Sequence, residues 1–255
     1  MKKHIFLLFA VLILTTVPAW ADGDGGDKNL FNHMSLGLNI GTNGVGADIG
    51  LPITNLFAFR AGYNWVPRLK FSDEFDVESP GGGYGGSVDM EAKLNMGTAH
   101  ALFDVYPIRN RGFHITAGAY FGADGVIDVY NKVPGSLKEV YAHNQTSPNT
   151  AGVGFGDYLL TPDKNGNVNA DLRVNKFRPY LGIGFGHAVP KGRFTCQFDM
   201  GVQFWAKPSV WVNGDNGEHK VQKSELDGES AKAFNIATKF SVYPVINLRI
   251  VGRLF

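Results

Sequence analysis

The stretch FTCQFDMGVQF, Phe194 to Phe204, alternates without a break. Phe194, Cys196, Phe198, Met200, Val202 and Phe204 are apolar, and Thr195, Gln197, Asp199, Gly201 and Gln203 lie between them. Successive side chains of an extended chain point to opposite faces, so this is a strand with one apolar side and one polar side. What the apolar side meets, lipid or a protein core, decides the fold.

Similar segments recur along the chain. SLGLNIG places Leu36, Leu38 and Ile40 against Gly37, Asn39 and Gly41, and Asn43-Gly44 then supplies a hairpin signal. VGADIGL, LFAFRAGYNW, FHITAGAYF and PYLGIGFG alternate in the same way. Eight strands are expected, near 34–42, 45–52, 56–65, 88–106, 113–122, 177–189, 193–206 and 246–255. Within 88–106 the apolar residues sit at even positions up to Leu94 and at odd positions from Ala99, which predicts a bulge near Gly97. The segment 207–240 reads equally as a helix or as an extension of the last hairpin.

Connection lengths alternate as well. PITN, PIRNRG and PKG are short, whereas the links after Trp65, Phe121 and Phe204 are long. Short turns at one end and long loops at the other is the pattern of an outer-membrane barrel, and an even strand count returns both chain ends to the short-turn side. A soluble barrel alternates too, so residue type has to discriminate. The apolar faces carry large Phe, Ile, Leu and Met; the opposite faces carry Gly, Asn, Gln, Asp, Arg and His. Small, lightly charged polar faces suit the interior of a narrow barrel, in which eight strands leave room only for side chains. The expected fold is therefore all-β: an eight-stranded antiparallel transmembrane up-and-down barrel with short periplasmic turns and long extracellular loops. Phe194, Cys196, Phe198, Met200, Val202 and Phe204 then face lipid. Tyr63, Trp65, Tyr106, Phe113, Phe177, Tyr180, Phe204, Trp205 and Tyr243, near strand ends, are expected in two interfacial girdles.

The N-terminus fits export. Lys2 and Lys3 precede an apolar run from Ile5 to Leu14, and Ala19-Trp20-Ala21 offers a small-x-small cleavage site, so 1–21 reads as a cleaved signal peptide. Residues 22–33 read as a flexible mature N-terminus and 34–255 as the barrel. Without Lys2 and Lys3 the 24 basic residues become 22 against 23 acidic ones, a formal charge of −1 that gives no reason to expect nucleic acid. Thirty-three Gly and 13% aromatics are high for a soluble domain, where Gly runs near 7%. The lone Cys196 leaves no internal disulfide to form.

The segments IGTNGVGADIGLPI, FRAGYNWVP, DVYPIRNRGFHITAGAYFG, FRPYLGIGFGHAVPKGRF and DMGVQFWAKPSV, with the terminal YPVINLRIVGRLF, resemble the small OmpA/OmpW-like outer-membrane barrels, especially those of Bacteroidetes. That resemblance implies outer-membrane lipid and lipopolysaccharide as surroundings and the barrel-assembly machinery as a partner in biogenesis, with Phe255 as the C-terminal assembly signal. Phe255, Arg253, Val251 and Arg249 stand where that signal is usually apolar, while Ile246, Leu248 and Ile250 occupy the other phase. Either a bulge near Val251 restores the register or Phe255 does not face lipid.

A polar face in a lumen has to satisfy its own hydrogen bonds and charges. Registers read from the turns set Asn39 opposite Asp48, Asp48 opposite Arg60 and Asp104 opposite His114, with Arg249 available from the closing strand. These six residues form the expected lumen network, structural first, with a gate or proton-sensitive pore as its functional counterpart. No catalytic, cofactor or metal site is expected. His100, His114, His187 and Ser241 have no spacing that assembles a nucleophile, base and orienter. PDKNGNVNAD alternates Asp163, Asn165, Asn167, Asn169 and Asp171 as a Ca²⁺ loop does, yet Gly166 falls two residues early for an EF-hand and the segment reads as turn chemistry. The leading reading is a non-enzymatic outer-membrane barrel with a structural or surface-interaction role and limited small-solute passage at most. A soluble exported barrel binding an apolar ligand requires Phe198 and Met200 to point inward. A lipid-modifying barrel enzyme requires a Ser–His or Asp–His pair at the rim.

Overall fold

The computed structural model describes residues 33–54, 56–67, 69–108, 112–155, 158–190, 192–214, 217–226 and 228–254. Both the signal segment and Phe255 lie outside the described residues. Numbered in chain order, strands β1 (Ser35–Gly41), β2 (Gly44–Pro52), β3 (Phe57–Trp65), β6 (Gly97–Val105), β7 (Phe113–Gly122), β12 (Phe177–Phe185), β13 (Phe194–Phe204) and β16 (Val242–Arg253) pair antiparallel. They close a barrel in the order β1-β16-β13-β12-β7-β6-β3-β2.

The period-two pattern sets each wall. In β13, Phe194, Cys196, Phe198, Met200 and Phe204 are exposed on the outside, Val202 is half-exposed, and Gln197, Asp199 and Gln203 are buried inside. In β16, Ile246, Leu248 and Ile250 point out and Arg249 points in. An exterior of Leu, Ile and Phe around a polar interior is the reverse of a soluble barrel. Phe198 is 37% and Met200 46% exposed, so neither belongs to an internal core. No register shift interrupts β16 between Val242 and Arg253, so Val251 is buried inward; of the two alternatives for the C-terminal strand, the bulge near Val251 is absent, and the other concerns Phe255, outside the described residues. The aromatic assignment divides: Tyr63, Trp65, Phe177 and Phe204 are exposed on the wall, but Tyr106, Tyr180 and Trp205 are buried within.

The long connections are folded. β4 (Lys70–Glu78), β5 (Gly86–Leu94), β8 (Gly125–Asn131), β9 (Gly152–Phe155), β10 (Tyr158–Leu160), β11 (Asn169–Arg173), β14 (Ser209–Gly214) and β15 (Gly217–Lys220) form a second sheet. Its order is β10-β9-β4-β5-β8-β11-β14-β15, and it caps the barrel at the long-connection end. Two helices belong to this cap, α1 (Lys138–Thr146) and α2 (Gly228–Lys239). Of the two forms expected for 207–240 the helix is present, as α2; the β14–β15 hairpin before it pairs with β11 in the cap sheet and does not extend the last barrel hairpin of β13 and β16. Met90, Val140, Val153, Val168, Leu160 and Val212 share one core, so strands from both ends of the sheet curl around the same interior. Each such side chain, fully buried, contributes about 1.5–3 kcal/mol.

The expected strand 88–106 is two strands with no bulge at Gly97. Val88, Met90, Ala92 and Leu94 of β5 point inward, and so do Thr98, His100, Leu102 and Asp104 of β6. Even positions face inward throughout. What changes at Asn95-Met96 is the environment, because the cap is apolar inside and the barrel polar inside. The sequence reads as a phase shift where the chain only crosses from one interior to the other.

Candidate functional site

The six residues of the expected network, Asn39, Asp48, Arg60, Asp104, His114 and Arg249, all point into the lumen, each at most 5% exposed. Their partners differ from those the turns suggested. The first turn is Thr42-Asn43, closed by Gly41 against Gly44, so Asn39 faces Gly46 and Asp48 faces Gly37. Asp48 faces Gly62 across β3, not Arg60, and Asp104 faces Thr116, not His114. Each register is off by two residues, which leaves every side chain on the same face.

Two ionic clusters result. Arg249 Nε donates to Asp48 Oδ1 at 2.7 Å, and its Nη1 donates to Gln197 Oε1 at 2.8 Å. Asn39 Nδ2 still reaches Asp48 Oδ2 at 3.2 Å, on the diagonal. Arg60 Nη2 donates to Asp104 Oδ1 at 2.8 Å and Arg60 Nη1 to Asp199 Oδ2 at 2.9 Å. Thr116 Oγ1 donates to Asp104 at 2.7 Å. The His114 ring sets Nδ1 3.0 Å from the Gly112 carbonyl and Nε2 2.8 Å from Asp199 Oδ1. A buried guanidinium is tolerated only when its charge and donors are matched in this way. Asp199 and Gln197 were legible as polar-face residues of the Phe194–Phe204 strand, and no turn register pointed to them as partners of Arg60 and Arg249.

Glycine makes these contacts sterically accessible. Arg249 on β16 reaches Asp48 on β2 across Gly37 of the intervening β1. His114 on β7 reaches Asp199 on β13 across Gly184, which is in register with both. His100 and Asp48 flank Gly62 likewise, with His100 Nε2 4.0 Å from Asp48 Oδ2. A Cβ at Gly184 would collide with the His114 ring and the Phe198 carbonyl. The glycine-rich inner face is thus the space through which long polar side chains cross a narrow barrel.

The ionic layer is closed at both ends. Toward the short turns, Tyr106, Ala58 and Ala188 pack together and Ala188 N–H donates to the Tyr106 hydroxyl at 2.8 Å. Toward the cap lie Leu102, Tyr120, Tyr180 and Val245, then Val66, Met96, Val126, Val174 and Trp205. Arg178 stands 5.5 Å over the Trp205 ring.

Asp163 Oδ1 accepts from the Asn165 and Asn167 N–H groups at 2.9 and 2.8 Å, so this loop is turn chemistry. Among the described residues no cluster of His, Cys, Asp and Glu is arranged to hold a metal. His114 is the second residue of β7, near the short turns, whereas Ser241 precedes β16 at the cap end, where its carbonyl accepts from Trp205 N–H.

No known family model matches the sequence, and no curated protein matches it. Among solved structures the chain is similar to Acinetobacter baumannii CarO, at 19% identity over 89% of this chain and 100% of that one, TM-score 0.49. It is also similar to CarO2 of the same organism, at 17% identity over 88% and 100%, TM-score 0.48. A major outer membrane protein from Thermus thermophilus matches at 14% identity over 87% and 98%, TM-score 0.31. The barrel assignment itself rests on the strand pairing described above.

Proposed function

We propose that this chain is an integral outer-membrane protein, exported through a cleaved signal peptide, whose barrel serves as a lipid-embedded anchor for a folded extracellular cap. Its role is structural or surface-binding, without catalysis. Outer-membrane lipid and lipopolysaccharide surround the wall, and the barrel-assembly machinery inserts it. The observation that carries this reading is the layering of the interior: a buried ionic layer, with Arg60 and Arg249 at 2% and 0% exposure, lies between an apolar layer below and two above. Such a stack opposes ion passage, because an ion crossing it must displace paired charges and then pass apolar rings.

Planar-bilayer recording of the refolded protein tests the closed lumen, with unboiled and boiled samples of the outer-membrane fraction compared on an SDS gel. The expected result is faster migration of the unboiled species and no steady conductance at neutral pH. Sustained conductance by the wild-type chain would replace the anchor with a pore, and recovery from the soluble periplasm without a heat-dependent shift would remove the membrane assignment.

A further inference from the structure

The apolar wall does not stop where β16 begins. Helix α2 turns Ser230, Phe234 and Thr238 inward, with Phe234 packed on the cap core. Ile236 lies on the opposite side of the helix and is 64% exposed; Phe240, four residues on, is 62% exposed. The Ser241 carbonyl accepts from Trp205 N–H, so the chain is pinned at the barrel rim between α2 and β16. There Val242 pairs with Phe204, and both side chains are exposed on the outer wall. Phe204, Val242, Phe240 and Ile236 thus carry the apolar line of Ile246, Leu248 and Ile250 over the rim and onto the last turn of α2. Contiguous apolar surface with a polar border marks a contact, whereas a lone exposed residue does not. The border here has one sign. Phe204–Gly214 and Ser230–Val242 contain Lys207, Lys232 and Lys239, all exposed, and no Asp or Glu. Lysines elsewhere near the base of the cap are matched: Lys70 Nζ stands 2.6 Å from Glu91 Oε1 and Lys176 Nζ 3.4 Å from Asp124 Oδ2. Lys232 and Lys239, two helical turns apart, share one stripe of α2 beside Ile236.

We propose that the C-terminal half of α2 lies in the outer leaflet, with Ile236 and Phe240 among the acyl chains of lipopolysaccharide and Lys207, Lys232 and Lys239 on the phosphates of its lipid A headgroup. An apolar helix edge flanked by lysine is the composition of a helix that rests in a membrane interface. Lysine stems lie along apolar surface while their ammonium groups reach the polar layer, so Lys239 next to Phe240 is compatible with that depth. The partner must carry acyl chains and phosphate together. A soluble anion would leave Ile236 and Phe240 in water, and an uncharged lipid would leave the lysines without a counter-charge. The inference rests on the outer-membrane reading and gives the cap its own contact with the membrane, on the β13–β16 side of the barrel.

The test uses the full chain in nanodiscs containing lipid A, with nitroxide labels on single cysteines in a Cys196→Ala background. Ile236→Cys and Phe240→Cys report α2, Leu248→Cys the barrel wall and Val133→Cys the cap surface. Labels at 236 and 240 should match 248 in meeting oxygen more readily than a water-soluble nickel complex, with 133 reversed. If 236 and 240 behave like 133 while 248 keeps its lipid signature, the inference fails and the barrel stays in the membrane. A water signature at 248 as well removes the membrane reading, and this inference with it. Exclusion of both reagents at 236, with a doubled mass, gives the face to a second copy and also overturns the proposal. Native mass spectrometry of the solubilised protein titrated with lipid A tests the headgroup separately. Lys207→Gln, Lys232→Gln and Lys239→Gln together should weaken the first adduct about tenfold or more, whereas Lys70→Gln with Lys132→Gln should leave it unchanged. Equal binding of dephosphorylated lipid A, or full retention by the folded triple variant, would overturn the phosphate assignment.

Discussion

Arg60 and Asp199 face each other across the full width of the lumen. They stand on β3 and β13, four strands apart either way around a ring of eight, and their side chains meet at 2.9 Å. Every other contact described in the ionic layer joins strands nearer each other on the wall, so this pair braces the barrel across its diameter. Arg60 holds Asp104 at the same time, and removing either carboxylate's charge disturbs both bonds.

Asp199→Asn keeps the shape and removes the charge, leaving Arg60 half-paired and the His114 ring without its carboxylate. Breaking a buried pair from one side costs about 3–5 kcal/mol. Urea unfolding of the refolded protein in phospholipid vesicles should show the midpoint falling accordingly, and an unchanged midpoint would mean that water already screens the pair.

The outward Leu residues separate a lipid-facing wall from a merely exposed one. Leu248, midway along β16, is 47% exposed, and Val133, in the cap, is 59% exposed. In water an Arg at either place would be tolerated within about 0.5 kcal/mol. In a bilayer, Leu248→Arg should cost about 2–4 kcal/mol while Val133→Arg stays near neutral. Equal effects of the two substitutions on the unfolding midpoint would argue that β16 meets no lipid.

Strand existence and face were legible because burial has the same period of two as the backbone, and no later contact can alter which side of a strand Asp48 or Arg60 occupies. Register was not, because a slip of two residues preserves the face pattern; only the turn distinguishes Gly41–Gly44 closure from the alternative read at Asn43-Gly44. Partners across the lumen, such as Arg60 with Asp199, depend on barrel diameter and stagger, which no local signal encodes. The cap escaped the reading for a different reason. Its strands β9, β10 and β15 are 4, 3 and 4 residues long, too short for alternation to accumulate, and β5 runs into β6 with inside and outside chemistry exchanged.

Acid should loosen one corner of the cap. The Lys70 ammonium, 2.6 Å from Glu91 Oε1, and the Tyr130 hydroxyl hold the Glu91 carboxyl below its usual range. A carboxyl depressed in the folded state contributes stability that is complete above its unfolded value, about 4.3, and is lost as pH falls through the folded value. Titration of the Glu91 carboxyl by NMR should therefore find a midpoint under about 4.3. Glu91→Gln should also flatten the acid limb of cap protection measured by hydrogen exchange. A normal titration midpoint would show that solvent screens the Lys70 contact.

Gly37 gives the most direct test of how the lumen is assembled, because its role is purely one of space. The Arg249 side chain passes over it to reach Asp48, with Cζ only 2.6 Å from where a Cβ would stand. Gly37→Ala must push Arg249 aside, and Arg249 is also fixed by Gln197 Oε1 and the Ala188 carbonyl, so it has little freedom to give way. Overpacking of this kind costs about 1–3 kcal/mol. Gly192→Ala, on the short-turn side with nothing within 4 Å of the added methyl, serves as the control and should fall within about 0.5 kcal/mol of wild type. If the two alanines unfold alike, Arg249 does not cross β1 in solution, and the Arg249–Asp48 pair is not what holds β16 and β2 on either side of the first strand.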